Sequence, residues 1–259
     1  MSTRAQTHLA VVEAREQLAA HLVRLTLGGP GLAGFASTGI PDEWVGLIVP
    51  GQFQSRYYTV RSWDGQRLVL DVVVHDEGLV TEWAARDCVG AEVTITDAKG
   101  SFALPEGATW LLLVGDLTAL PAMARIAESH PQLSVRIWAE VPDELPGYLP
   151  GHAEVTWLAP PADGASDLAT VVEKIDWPAG EGYFWMAGES AQMRAIRKHL
   201  MRDRGLPSTA YDVMGYWRGA QKRQPRAVDP GPVWRAGKAA GLTDEQIWER
   251  YDASHEEDR

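Results

Sequence analysis

Arg56-Tyr57-Tyr58-Thr59-Val60-Arg61 sets cations, rings and β-branched residues between a Pro50-Gly51 turn and the apolar run Leu68-Val69-Leu70-Asp71-Val72-Val73-Val74. Aromatic and β-branched side chains favour a pleated backbone, so the stretch reads as a strand. Residues two apart on a strand share a face. Arg56, Tyr58 and Val60 therefore point one way, and Tyr57, Thr59 and Arg61 the other. A guanidinium fork matches a pyrophosphate, and a tyrosine ring lies well against a flat heterocycle. The pattern suggests a flavin dinucleotide.

Around this strand the first hundred residues read as more of the same. Leu9–Glu13, Leu22–Leu27, Trp44–Val49, Leu68–Val74 and Glu92–Thr96 are short strand-like runs separated by Gly, Pro and Asp turns. Such spacing predicts an antiparallel barrel or sandwich, interrupted by one helix over Leu79–Cys88. The rhythm changes near Pro105-Glu106-Gly107. Trp110–Val114 is continuously apolar, as expected of a parallel strand buried on both faces. A helix over Ala122–Ser129 follows, then strands at Leu133–Glu140 and Glu154–Leu158. A helix over Asp167–Ile175, a strand at Gly182–Gly188 and a helix over Ser190–Arg204 complete the alternation. This predicts an open parallel α/β sheet. Two domains result, residues 1–105 and 106–259, and a last helix is expected to start near Thr243.

Composition narrows the partners. The 259 residues carry a formal charge of −11, which argues against nucleic acid. Residues 194–226 nevertheless carry a local +7, either a solvated surface or an anion-attracting mouth. The apolar runs are too short to span a bilayer, the first residues lack a signal peptide's apolar core, and a soluble, cytoplasmic monomer is expected. One cysteine, Cys88, excludes an internal disulfide framework and reads as structural. The seven histidines show no HxH or HExxH spacing, so no metal site is expected.

Chemistry is expected beyond the carboxyl ends of the parallel strands, where doubly wound sheets bind ligands. Two such ends are glycine-bearing, Val114-Gly115-Asp116 and Ala187-Gly188-Glu189. Neither is a GxGxxG, and each alone could be a simple strand-to-helix turn. A second phosphate corner is His75-Asp76-Glu77-Gly78 with Thr81 in the first turn of the next helix. Taken alone, His75 reads as an ordinary edge histidine. Trp138, Trp157 and Trp185 read as core. Trp217 differs, because Gly215-Tyr216-Trp217-Arg218-Gly219 reads as a polar aromatic loop opening the basic stretch.

These motifs together resemble the FAD-binding siderophore-interacting proteins of the ferredoxin–NADP reductase superfamily. The resemblance runs through Arg56-x-Tyr58-Thr59-Val60-Arg61, His75 with Gly78, Trp83-Ala84, and Gly115-Asp116-x-Thr118-Ala119-Leu120-Pro121. It continues through Ala187-Gly188-Glu189, Arg194-x-x-Arg197-x-x-Leu200 and Gly215-Tyr216-Trp217-Arg218. It departs at Leu79, where the family often has proline, and at Leu117, where it usually has an acid. It implies a Greek-key barrel that holds FAD and an α/β domain that takes NADH or NADPH. Arg56 and Thr81 would hold the pyrophosphate, Tyr58 would lie along the flavin, and Thr59 would bond near its reactive nitrogen. Tyr57, Val60, Arg61, His75 and Gly78 would complete the FAD seat. Gly115, Asp116, Thr118, Gly188 and Glu189 would face the nicotinamide dinucleotide. Acids near Glu140, Asp143 and Glu144 would disfavour a 2′-phosphate. Trp217, Arg218, Lys222 and Arg223 would meet a ferric siderophore, which is reduced to release Fe(II). No side chain needs to act as a catalytic base, because the flavin carries the chemistry. The competing readings are a flavin reductase with a protein or quinone acceptor, and a siderophore-binding protein without catalysis.

Overall fold

The computed structural model describes residues 6–218 apart from 53, 76–77 and 163–164. Its first half is a closed antiparallel barrel of six strands: β1 (Thr7–Ala19), β2 (Leu22–Gly28), β3 (Trp44–Ile48), β4 (Arg56–Trp63), β5 (Leu68–Val73) and β6 (Glu92–Thr96). The order around the barrel is β1-β2-β5-β4-β3-β6. Alternation fills the interior, with Val23, Leu25, Leu27, Val45, Leu47, Val60, Leu68, Leu70, Val72, Val93 and Ile95 in one core. Each such aliphatic side chain contributes about 1.5–3 kcal/mol when fully buried. Helix α1 (Leu79–Ala85) is shorter than expected, and Cys88 lies buried in the turn that follows it.

The second half is a five-stranded parallel sheet, ordered β11-β10-β7-β8-β9. Its strands are β7 (Trp110–Asp116), β8 (Ser134–Glu140), β9 (Glu154–Leu158), β10 (Gly182–Glu189) and β11 (Tyr211–Trp217). Every residue of β7 is buried. Leu111 and Leu113 face the core beneath helix α2 (Leu120–Ser129), whereas Leu112 and Val114 face the opposite core with Leu168 and Ile196. Those two belong to α3 (Leu168–Glu173) and α4 (Ser190–Lys198), the latter continuing as a π-helical turn over His199–Asp203.

The chain builds β8 and β9 on one side of β7, then returns to place β10 and β11 on the other. The strand order therefore reverses between β7 and β10, and a crevice is expected outside their carboxyl ends. One expectation fails here. Gly215-Tyr216-Trp217 is not loop but the end of β11, paired in parallel with β10 from Phe184↔Tyr211 to Glu189↔Trp217. Barrel and sheet share apolar packing, because Leu22 of β2 and Phe102 join the core under α2. Both lie in one compact unit. Lys222, Arg223 and the helix expected near Thr243 lie outside the described residues.

Candidate functional site

Strand β4 presents its side chains unequally. Arg56 is exposed at the strand start and has no ion-pair partner among the described residues. Tyr57 is 66% exposed. Tyr58 is half-buried against the barrel core, and burial pushes its hydroxyl up to about 12 despite the Arg56 charge. Thr59 and Val60 are buried. Arg61, expected to complete the FAD seat, is engaged by the sheet half of the protein. Its guanidinium forks onto Glu128 of α2 at 2.8 and 2.6 Å and lies 5.6 Å from the Tyr148 ring centre. Asp71 is 4.0 Å from its Nε. Arg61 is a tether between barrel and sheet.

The expected phosphate corner follows β5. His75 is exposed just beyond β5, and Gly78, at φ +130°, stands before α1 with no side-chain cap. Thr81 is buried and donates its hydroxyl to the Val73 carbonyl at 3.1 Å. A hydroxyl has one proton. In this structure that proton is donated to β5, and the Thr81 side chain would have to turn to reach the pyrophosphate expected of it.

At the strand-order reversal, Asp116 ends β7 and Gly188 approaches the end of β10. The Asp116 carboxylate accepts from the Thr118 backbone N–H at 2.9 Å, from the Thr118 hydroxyl at 2.5 Å and from Trp217 Nε1 at 2.6 Å. Burial raises its pKa, and these donors pull it back. Gly188 has φ +152°, and a Cβ there would lie 2.6 Å from Asp116 Oδ2. Gly115 is equally committed to packing, since its Cβ would meet that of Ala119 at 2.5 Å. Glu189 is buried immediately before α4, with no side-chain bond to the helix start. Glu140, at the end of β8, is buried and accepts from the Asp167 backbone N–H at 3.0 Å. Asp116 and Glu140 are therefore held by the protein itself.

The seam between barrel and sheet supplies groups that the motifs did not single out. Asp42 is fully buried and accepts from the Ser101 and Phe102 backbone N–H groups at 2.9 and 3.0 Å. The Ser101 hydroxyl lies 3.0 Å from Asp42 Oδ2 and 2.6 Å from Asp212 Oδ2, joining the barrel side to β11. Glu43 is also fully buried. Burial opposes its ionisation, but Ser37, Thr38 and Arg125 outweigh that and hold its carboxyl below the usual range. Arg125 donates to Glu43 at 2.8 Å and to the Val60 carbonyl at 2.7 Å, so α2 grips β4 directly. Asp71 receives Arg24 at 2.8 Å through both Nε and a terminal nitrogen, and Tyr148 at 2.5 Å. Apart from Glu43 with Ser37 and Thr38, these pairs join residues dozens of positions apart, and no local sequence signal announces them.

Above this seam, the Tyr216 hydroxyl is buried beside Thr59 without reaching hydrogen-bonding geometry with any described group. A buried phenol without a partner is costly unless a ligand completes it. An unpaired Arg56, the Tyr58 ring, the Thr59 hydroxyl and this orphaned phenol fit a flat phosphorylated cofactor such as FAD. Arg218 is exposed just past β11. Among the described residues no group of three or more His, Cys, Asp or Glu could hold a metal, and no helix is long and apolar enough to cross a membrane.

Comparison with known proteins agrees with this arrangement. Residues 51–102 match the siderophore-interacting FAD-binding domain, and residues 108–220 match the siderophore-interacting protein family. A siderophore utilization protein from T. fusca is 30% identical, with a TM-score of 0.71 over 83% of this chain and 94% of its own. The ferric vibriobactin reductase ViuB of Vibrio cholerae is 30% identical over 65% of this chain and 66% of its own. The NADPH-dependent ferric-chelate reductase of Escherichia coli is 26% identical over 78% and 89%. A barrel matching the FAD-binding domain followed by a parallel α/β sheet is the plan of this chain, which belongs to the siderophore-interacting protein family.

Proposed function

We propose that this oxidoreductase passes electrons from a nicotinamide dinucleotide through FAD to the Fe(III) of a bound siderophore, which then releases Fe(II). The observation that carries this reading is strand β4, where Arg56 has no ion-pair partner among the described residues and Thr59 lies beside the buried, unbonded Tyr216 hydroxyl of the sheet. When bound, FAD supplies the change from one two-electron donor to two one-electron iron centres. The protein's part is orientation and charge. Arg56 binds the pyrophosphate, Tyr58 flanks the ring system, and Thr59 with Tyr216 fixes its edge at the seam. On this reading residues 1–105 hold FAD and the part that begins at residue 106 takes the dinucleotide. Arg218 faces outward and attracts an anionic chelate, and no metal ligation by the protein is required. Iron leaves because oxygen-rich chelators hold hard Fe(III) far better than Fe(II).

The test is an anaerobic titration of the purified yellow protein with NADH or NADPH, followed by a ferric siderophore. Bleaching on nucleotide and recovery with production of Fe(II) support the reading. A bleached protein that transfers nothing to any ferric siderophore removes it.

A further inference from the structure

The crevice at the strand-order reversal is expected to receive the electron-donating dinucleotide, yet the protein's own side chains lie across it. Trp217 ends β11, one strand beyond β10, and its register partner is Glu189. Its indole nevertheless reaches across β10 to Asp116 on β7, at 2.6 Å. The intervening residue is Gly188, whose missing side chain leaves the room: a Cβ there would strike the Asp116 carboxylate. The Trp217 carbonyl is held as well, by the Ser190 hydroxyl at the start of α4, at 2.8 Å. Gly215 allows that approach, since its Cβ would lie 2.5 Å from Ser190 Oγ. Gly188, read in the sequence as a phosphate-approach glycine, and Gly215, read there as the start of a loop, are thus both used to bring Trp217 down onto the crevice.

The electrostatics agree. Asp116 is buried and, among the described residues, its side chain receives these three donors and pairs with no cation. A carboxylate at this position repels a pyrophosphate, unlike the open helix start that usually attracts one. We propose that Trp217 and Asp116 form a latch that closes the donor crevice, and that a nicotinamide dinucleotide binds only as this hydrogen bond opens. This rests on a nicotinamide dinucleotide being the electron source. Asp116 acts through Trp217 and is a positioning residue. A short hydrogen bond to a buried carboxylate favours the closed arrangement by about ten- to a hundredfold, and apparent donor affinity falls by the same factor.

The test measures binding of NAD⁺ and NADP⁺ to the purified flavoprotein, which requires no turnover. Trp217→Phe keeps an aromatic ring and removes the N–H, so it should tighten binding by about tenfold or more. Asp116→Asn keeps an acceptor without the charge and should give a smaller gain. In the wild type, the Trp217 indole N–H resonance, assigned by its loss in Trp217→Phe, should move toward the position of a water-exposed indole as dinucleotide saturates. Weaker or unchanged binding in Trp217→Phe would make the ring a simple contact surface and overturn the latch. So would an indole resonance that stays fixed at saturation, a readout that needs no variant to fold for function. Absence of dinucleotide binding in both proteins also overturns it. Reduction of a ferric siderophore by the dithionite-reduced flavoprotein would then still stand for the wider reading.

Discussion

Arg56 and Arg61 open and close the same six-residue stretch of β4, and they do opposite things. Arg56 is exposed and unpaired, whereas Arg61 is largely enclosed and forks onto Glu128 at the seam. The surroundings decide. Around Arg61, Asp71, Glu128 and Tyr148 supply charge and ring, and these raise the guanidinium's pKa although burial opposes them. Around Arg56, no described acid is close enough to pair, so its fork remains available to an anion. A cation's role is read from what it lacks as much as from what it is.

The largest effect should come from the seam. Asp71 is buried and serves Arg24 and Tyr148 at once. Asp71→Ala strands both donors. Breaking a buried pair costs 3–5 kcal/mol, and the partial exposure of Arg24 places this case near the lower end, at about 3 kcal/mol. Denaturant unfolding of the wild type and variant measures it. A loss below about 1 kcal/mol would show that the seam tolerates an empty acid position.

Arg56→Ala should act on the cofactor instead. A charge-assisted bond to phosphate contributes about 1.5–3 kcal/mol, so FAD affinity should fall by about ten- to a hundredfold. Unfolding of the FAD-free protein should be unchanged. A variant purified fully yellow, with wild-type FAD affinity, would separate β4 from the cofactor. Arg61→Ala should show the reverse pattern. It should destabilise the FAD-free protein by about 1–2 kcal/mol, since Glu128 is partly exposed and rehydrates. Its direct effect on FAD should be small. Equal loss of FAD affinity from the two variants would erase the distinction between them.

The barrel and the parallel sheet are legible in the residues because period-two and continuously buried patterns are local. Val60 and Leu70 sit inside as alternation requires, and β7 is buried on both faces. Strand β11 was less legible. Tyr211, Val213, Tyr216 and Trp217 are good strand formers, but Gly215 and the basic residues beyond suggested a loop. Pairing with β10 overrode that local signal. The seam was illegible for a different reason. Arg61 and Glu128 are 67 residues apart, and Asp42 and Trp185 are 143 apart. Such pairs exist only once the barrel is docked against the sheet.

Thr81 sharpens the comparison at its weakest point. As a sequence feature it resembles Arg56, a polar group near a predicted phosphate. In the fold it resembles Arg61, because its hydroxyl proton is already donated to the Val73 carbonyl. Thr81→Val keeps the shape and removes only that bond, which should cost about 1 kcal/mol of stability. FAD affinity should stay within about twofold of wild type, since no donor to the pyrophosphate is lost. A tenfold loss of FAD with unchanged unfolding would mean that the hydroxyl turns outward when the cofactor binds. The corner after β5 would then belong with Arg56 and not with the seam.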